Sequence, residues 1–271
     1  LLAPPSNLRT NEDGKKTVML RPLAEGKDLP NWKGVERHEE LRPLWYNGKW
    51  NFDKKKGISA VKHSVLKDLL SGNETSAPNE PEDRDKPYGW VTRSGIQVDN
   101  KTNTVKESML FTQELLELRD EYGFYAELEV PEKVKELLAG GPHQVFFGGD
   151  SKTARLELLK KPFSWNIDSQ PGEKQKDGEF AVLTSPAFFK PESPALPKHE
   201  KLVAAAVSGE YFISGWDLAK GGPKPTRFGV PAGSVYFFKG QIPSGYNGSL
   251  CKGEDARIGW GTYLKGSWNY V

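Results

Sequence analysis

The chain has 271 residues, 36% of them apolar and 27% charged, with a net charge of +2, which describes a water-soluble globular protein long enough for one large or two medium domains. Its single cysteine, Cys251, excludes an internal disulfide and a thiol-based zinc site, and no apolar run approaches the ~20 residues of a membrane-spanning helix. No charged-then-apolar leader is visible, and these features together predict a reducing cytoplasmic location.

The distribution of charge is more informative than its sum. Lys and Arg against Asp and Glu number 14 against 9 over residues 1–72, 8 against 15 over 73–142, and 16 against 12 over 143–271. The middle is acidic and both ends are basic. Between Gly215 and Gly266 the count is 7 against 3, an excess that fits a phosphate-binding face and an ordinary solvated surface about equally. Gly and Pro together number 48, above the ~12% of average usage, and predict many loops.

Periodicity is weak over residues 1–72. Aromatics cluster around Asn47-Gly48, a pairing that favours a tight turn, with Trp45 and Trp50 in packing roles. Residues 64–70 repeat apolar side chains at helical spacing behind a Ser64 cap and predict a short helix. The polar, acidic, proline-bearing stretch 72–87 predicts an exposed, mobile loop. From Gly95 to Val130 the pattern turns to alternation, which predicts a hairpin bent at residues 100–103 and a further antiparallel strand over 122–130. Pro131 at the first helical position, early acids and the Gly140-Gly141 stop predict a helix over 131–138. Residues 145–149 and 153–159 predict two strands around a glycine turn, and 162–178 a turn-rich linker. Beyond it, 180–184 predicts a strand, 199–207 a helix, and 256–265 a last strand with a glycine-rich loop.

The most specified stretch is 209–239. Apolar, β-favouring runs at 211–213 and 234–238 flank a middle whose prolines, Pro223, Pro225 and Pro231, remove backbone donors and fix φ. The pattern predicts a long hairpin-like arm with a stiff surface loop that is neither helix nor central strand. It displays Lys220, Lys224 and Arg227 beside Trp216 and Phe228, with only Asp217 against them, and cations next to aromatic faces suit phosphates and unstacked bases. Gly259 and Gly261 would let an RNA backbone approach main-chain N–H groups, with Lys265 adding charge; close strand packing is the competing reason for those glycines. The spacing is not a dinucleotide fingerprint, and Pro225 after Lys224 rules out a phosphate loop. The four histidines, His38, His63, His143 and His199, lie outside metal-ligand spacing and read as surface or packing residues. No catalytic constellation, metal site or cofactor motif is apparent.

The segments 214–217 (SGWD), 223–238 (PKPTRFGVPAGSVYFF) and 257–268 (RIGWGTYLKGSW), with 95–118 and 145–158 upstream, give the chain a family likeness. It resembles the third subunits of type III-B CRISPR-associated Cmr effector complexes, which belong to the RAMP (repeat-associated mysterious protein) superfamily. The blocks run from Arg93 onward in one order; the match before Arg93 is vague, and the family's opening strand and helix have no counterpart at Leu1. The resemblance implies an α+β protein of two ferredoxin-like (RRM-like) domains, 1–161 (incomplete at its start, with a hairpin at about 93–118) and 162–271 with the glycine-rich loop. It implies that the hairpin acts as a thumb along RNA, using Arg93, Lys101 and Lys106; an ordinary core hairpin is the alternative. It further implies a non-catalytic, cytoplasmic RNA-binding scaffold that holds the 5′ tag of the CRISPR RNA (crRNA). Its partners would be the large polymerase/cyclase-like subunit, an adjacent RAMP backbone subunit and, indirectly, target RNA, with no membrane. A metal-independent RAMP endoribonuclease that processes precursor crRNA is the main alternative, and a structural subunit without RNA contact is a third.

Overall fold

The computed structural model describes residues 2–10, 16–25, 41–46, 61–71, 75–76, 87–148, 152–159, 176–217 and 219–271. The turn at Asn47-Gly48 with Trp50, His38, and most of the 72–87 and 162–178 segments lie outside the described residues. In chain order the elements begin with β1 (Leu8–Thr10), β2 (Lys16–Met19), β3 (Arg21–Pro22), β4 (Leu44–Trp45), α1 (His63–Leu70) and β5 (Thr75–Ser76). There follow β6 (Tyr88–Val98), β7 (Val105–Leu118), α2 (Glu132–Ala139), β8 (His143–Phe146) and β9 (Thr153–Leu156). The remainder is β10 (Gly178–Leu183), β11 (Leu202–Ala206), β12 (Tyr211–Ile213), β13 (Trp216–Asp217), β14 (Gly222–Pro223), β15 (Arg227–Gly229), β16 (Val235–Lys239), α3 (Glu254–Arg257) and β17 (Tyr263–Trp268). The architecture is α+β with strands dominant and few, short helices.

Two compact units divide the chain: residues 1–80 with 167–271, and 81–166. The first unit is organised around its central sheet. That antiparallel sheet runs β11-β16-β10-β17. Its runs Phe180-Ala181-Val182-Leu183 and Val235-Tyr236-Phe237-Phe238 are continuously apolar because both faces are covered, with alternate residues going to opposite sides. One side carries Phe180, Val182, Val235, Phe237 and Trp268, and what packs on it is Leu66, Leu69 and Leu70 of α1 with Val61 and Leu8. Segments before residue 80 therefore complete the C-terminal core. The other side, with Ala181, Leu183, Tyr236 and Phe238, is closed by Val230, Tyr246, Leu250 and Cys251.

Several expectations hold. The helix over 64–70 forms as α1, although its N-cap is Lys62 with no capping side chain rather than Ser64. The 131–138 helix forms as α2 with Pro131 one position earlier, at the N-cap. The hairpin forms as β6 and β7, starting further upstream than the alternation suggested, and β8 pairs with β9. Three expectations fail. Residues 199–207 hold β11 instead of a helix, because Leu202–Ala206 pairs along β16 and tertiary pairing outweighs the helix preference of its alanines. Residues 122–130 form no strand. The glycine-rich segment begins as α3, and strand starts only at Tyr263. Within 72–87, Thr75–Ser76 pairs with β2.

Candidate nucleic-acid interface

The 209–239 stretch builds an arm in two stages. β12 pairs with β15 (Tyr211↔Gly229, Phe212↔Phe228, Ile213↔Arg227), and further out β13 pairs with β14 (Trp216↔Pro223, Asp217↔Gly222). The prolines leave it a short two-stranded ribbon, as a missing donor permits only at an edge. The expected loop thus contains short strands, and the partner of 211–213 is 227–229 rather than 234–238, which enters the central sheet as β16. Gly229 marks the root: a Cβ there would lie 2.2 Å from the Ala187 carbonyl oxygen, where the chain bridges Val230.

Alternation gives the arm two faces. Tyr211 and Arg227 turn towards an aromatic cluster in which Phe188 meets Trp260 edge-on at 5.2 Å and Tyr211 at 5.9 Å. The Arg227 guanidinium lies 4.4 Å over the Phe188 ring. It also donates from both terminal nitrogens to the Asp255 carboxylate, at 2.9 and 2.6 Å, and that partner raises its pKa against the opposing effect of burial. Arg227 is therefore engaged in holding the arm to α3. Phe212 and Phe228, paired on the other side, are exposed, as is Trp216 at 60%.

Among the described residues neither Lys220 nor Lys224 has an ion pair. The Asp217 carboxylate accepts from the Ala219 and Lys220 amides and so closes the turn that carries Lys220, while Lys224 follows β14 with its amide donating to the Gly215 carbonyl. Trp216, Lys220, Lys224 and Phe228, joined by Phe212, thus share one projecting ribbon.

The glycine loop has a different arrangement. The Gly259 amide donates to the Ala256 carbonyl, Trp260 to Asp255, and Gly261 to Pro186, while Thr262 N donates to Ser185 Oγ. These donors face inward and are used. Gly261 has φ +71°, and a Cβ on it would sit 2.7 Å from the Cys251 sulfur. Its role here is the close-packing one. Lys265, on β17, places Nζ 3.1 Å from Glu179 Oε1.

Arg93, Lys101 and Lys106 belong to the other unit. Lys101 lies in the β6–β7 turn, where its amide donates to Asp99, Lys106 near the start of β7, and Arg93 opposite Gln113 further along the hairpin. The sequence reading missed Asp255, Phe188 and Trp260 as the arm's anchor. Only the period-two pattern around 211–213 carried a signal, since it places Phe212 on the face opposite Tyr211; nothing in spacing links Arg227 to Asp255.

Strand order and arm together define a strand-dominated α+β protein with a projecting, cation-bearing β-ribbon. The family model described as CRISPR-associated protein (Cas_Cmr3) matches residues 1–268, and the chain belongs to that family. Among solved structures it is similar to a chain of the type III-B Cmr-beta complex bound to cognate target RNA, at 18% identity and TM-score 0.41, covering 87% of this chain and 65% of that one. A chain of the same kind of complex bound to cognate target RNA and AMPPnP, state 1, matches at 18% identity and TM-score 0.39, over 64% of this chain and 50% of that one. The chain thus spans between half and two thirds of the length of these structures. Comparison with curated proteins found no match.

Proposed function

We propose that this chain is a non-catalytic RNA-binding scaffold subunit of a type III-B CRISPR ribonucleoprotein. Family membership supports the setting, and one observation carries the binding surface: exposed Phe212, Trp216 and Phe228 on the same short ribbon as Lys220 and Lys224, neither of them ion-paired among the described residues. Aromatic faces offer stacking to unpaired bases of any sequence, and the lysines offer charge to the phosphates between them. Arg227 contributes by fixing the ribbon. Its own charge is shared with Asp255.

The finer reading is that the arm grips the 5′ tag of the crRNA, that Lys101 and Lys106 at the end of the β6–β7 hairpin meet RNA as a thumb, and that the large polymerase/cyclase-like subunit and an adjacent RAMP backbone subunit are its neighbours. The strand order supports a ferredoxin-like reading of the C-terminal sheet. Numbering β10, β11, β16 and β17 from one to four, the sheet reads 4-1-3-2 and is antiparallel throughout. A second ferredoxin-like domain in the N-terminal part belongs to the same proposal.

The test is a pair of variants assayed in the assembled complex. Lys220→Glu with Lys224→Glu should lower crRNA retention and flatten its salt dependence, because phosphate contacts release counterions. Trp216→Ala should lower retention by the ~1–3 kcal/mol of one lost stack, with an unchanged melting temperature because the ring is exposed. Full crRNA retention in both variants would refute the arm as the RNA surface.

A further inference from the structure

The β6–β7 hairpin is interrupted at one place. From Tyr88↔Leu118 to Ile96↔Leu110 its ladder is regular, and Phe111 lies over its partner Gly95 so closely that a Cβ there would meet the ring at 2.3 Å. Pairing resumes at Val98↔Val105, which leaves one residue between on β6, Gln97, and four on β7, Lys106, Glu107, Ser108 and Met109. Extra residues on one strand make a β-bulge, which bends that strand and increases the local twist. Beyond it the tip is braced. The Asp99 amide donates to the Thr104 carbonyl and the Asn103 amide to the Asp99 carbonyl, each at 2.8 Å, while the Asp99 carboxylate accepts from the Lys101 amide at 2.7 Å. Two firm pieces therefore meet at one bend.

Ser108 holds the bend at a conformational cost. Its φ is +61°, in the left-handed region that side chains other than those of Asn and Asp seldom enter. Burial does not impose this backbone, because residues 101–110 are all exposed. A bulge kept in an exposed ribbon, at a strained residue, re-aims what lies beyond it. What lies at and beyond this one is Lys106, the first bulged residue, and Lys101 in the turn, neither of them ion-paired among the described residues. We infer that the bulge is an elbow and Ser108 its positioning residue: the left-handed backbone turns the tip against the base so that Lys101 and Lys106 meet one run of RNA phosphates. This rests on the proposal that the tip contacts RNA, and adds the residue that aims it.

The test removes the elbow and keeps both lysines. Deleting Glu107, Ser108 and Met109 joins Ile96↔Leu110 to Val98↔Val105 in one uninterrupted ladder, with Lys106 opposite Gln97. The deletion also removes a negative charge, so charge alone would tighten RNA binding. In the assembled ribonucleoprotein the readouts are bound crRNA and a labelled RNA complementary to its guide, with the Lys101→Glu, Lys106→Glu double variant as reference. The deletion and Ser108→Val, whose β-branched side chain resists positive φ, should both weaken whichever RNA the charge reversal weakens, and lower the slope of its log–log salt dependence by about one to two. Ser108→Gly, which adopts the left-handed backbone without strain, should bind as wild type. Amide exchange over Tyr88–Ile96 should be unchanged in all three, because the base of the ladder is intact. Wild-type binding by the deletion and by Ser108→Val, where the charge reversal weakens it, overturns the elbow and leaves the thumb standing. Binding that weakens only where exchange at the base rises makes the bulge structural and overturns the elbow as well. A charge reversal without effect refutes RNA contact at the tip, and the elbow falls with it.

Discussion

Arg227 sits between two employments that its chemistry fits equally, a bidentate grip on phosphate and a bidentate grip on a carboxylate. The Asp255 carboxylate at 2.6–2.9 Å and the Phe188 ring at 4.4 Å commit it to the second. With the pair partly exposed, its worth is that of a surface ion pair of good geometry, about 0.5–1 kcal/mol. Arg227→Lys and Asp255→Asn should therefore each raise amide exchange across residues 211–229 by roughly two- to fivefold. Arg227→Ala should affect RNA retention only to the extent that it loosens the arm. Lost retention with unaltered exchange would make Arg227 a direct ligand instead. Gly261 is the second informative residue. Gly261→Ala combines positive φ with a Cβ pressed on Cys251, and should cost about 2–4 kcal/mol. Gly221→Ala, also at positive φ but with nothing within 4 Å, should cost only about 1 kcal/mol. Thermal melting of the two variants compares packing plus strain against strain alone.

At the level of elements, the legible parts of this fold were those whose signals are local. The 131–138 helix carried its own Pro and Gly punctuation, and the hairpin carried alternation on both sides of a polar turn. Residues 199–207 did not: Leu202–Ala206 is short, apolar and alanine-rich, and becomes a strand only because β16 lies beside it. The arm was visible as an arm, because three prolines exclude helix and interior strand, but the pairing of 211–213 with 227–229 could not be chosen over 234–238 without the buried central sheet that claims the latter. The same limit governed the glycine loop. Gly259 and Gly261 looked available for RNA, whereas the Gly259 amide is bound to Ala256 at the end of α3 and the Gly261 amide to Pro186, a contact that depends on a distant loop. The thumb reading gives an element-scale test. Charge reversal of Lys101 and Lys106, in and beside an exposed turn, should weaken crRNA or target retention with a change in stability under about 0.5 kcal/mol, and unchanged retention would return the hairpin to a purely structural role.

For the whole molecule, the first unit concentrates its core around one sheet with both faces closed, and this sets how it responds to alkali. Tyr236 lies in that core with its hydroxyl donating to the Ala195 carbonyl at 2.7 Å, and burial pushes its pKa far above the ordinary value near 10. Because the folded-state pKa is the raised one, the contribution of neutral Tyr236 is present in full below pH ~10 and is lost as pH climbs beyond it, by up to about 1.4 kcal/mol per pH unit. Melting temperatures between pH 8 and 11.5 should be flat and then fall, and Tyr236→Phe should make the fall shallower; an unchanged slope would mean that the phenol ionises freely. The first unit also carries the arm, and the claim that this arm is what holds RNA is the centre of the account. It is tested most directly by ultraviolet crosslinking of the assembled ribonucleoprotein, with the crosslinked peptides and nucleotides mapped together. The account predicts nucleotides of the crRNA 5′ tag attached within residues 211–229, at Trp216, Phe212 or Phe228. Crosslinks confined to other parts of the chain, in a complex with its full complement of crRNA, would contradict it.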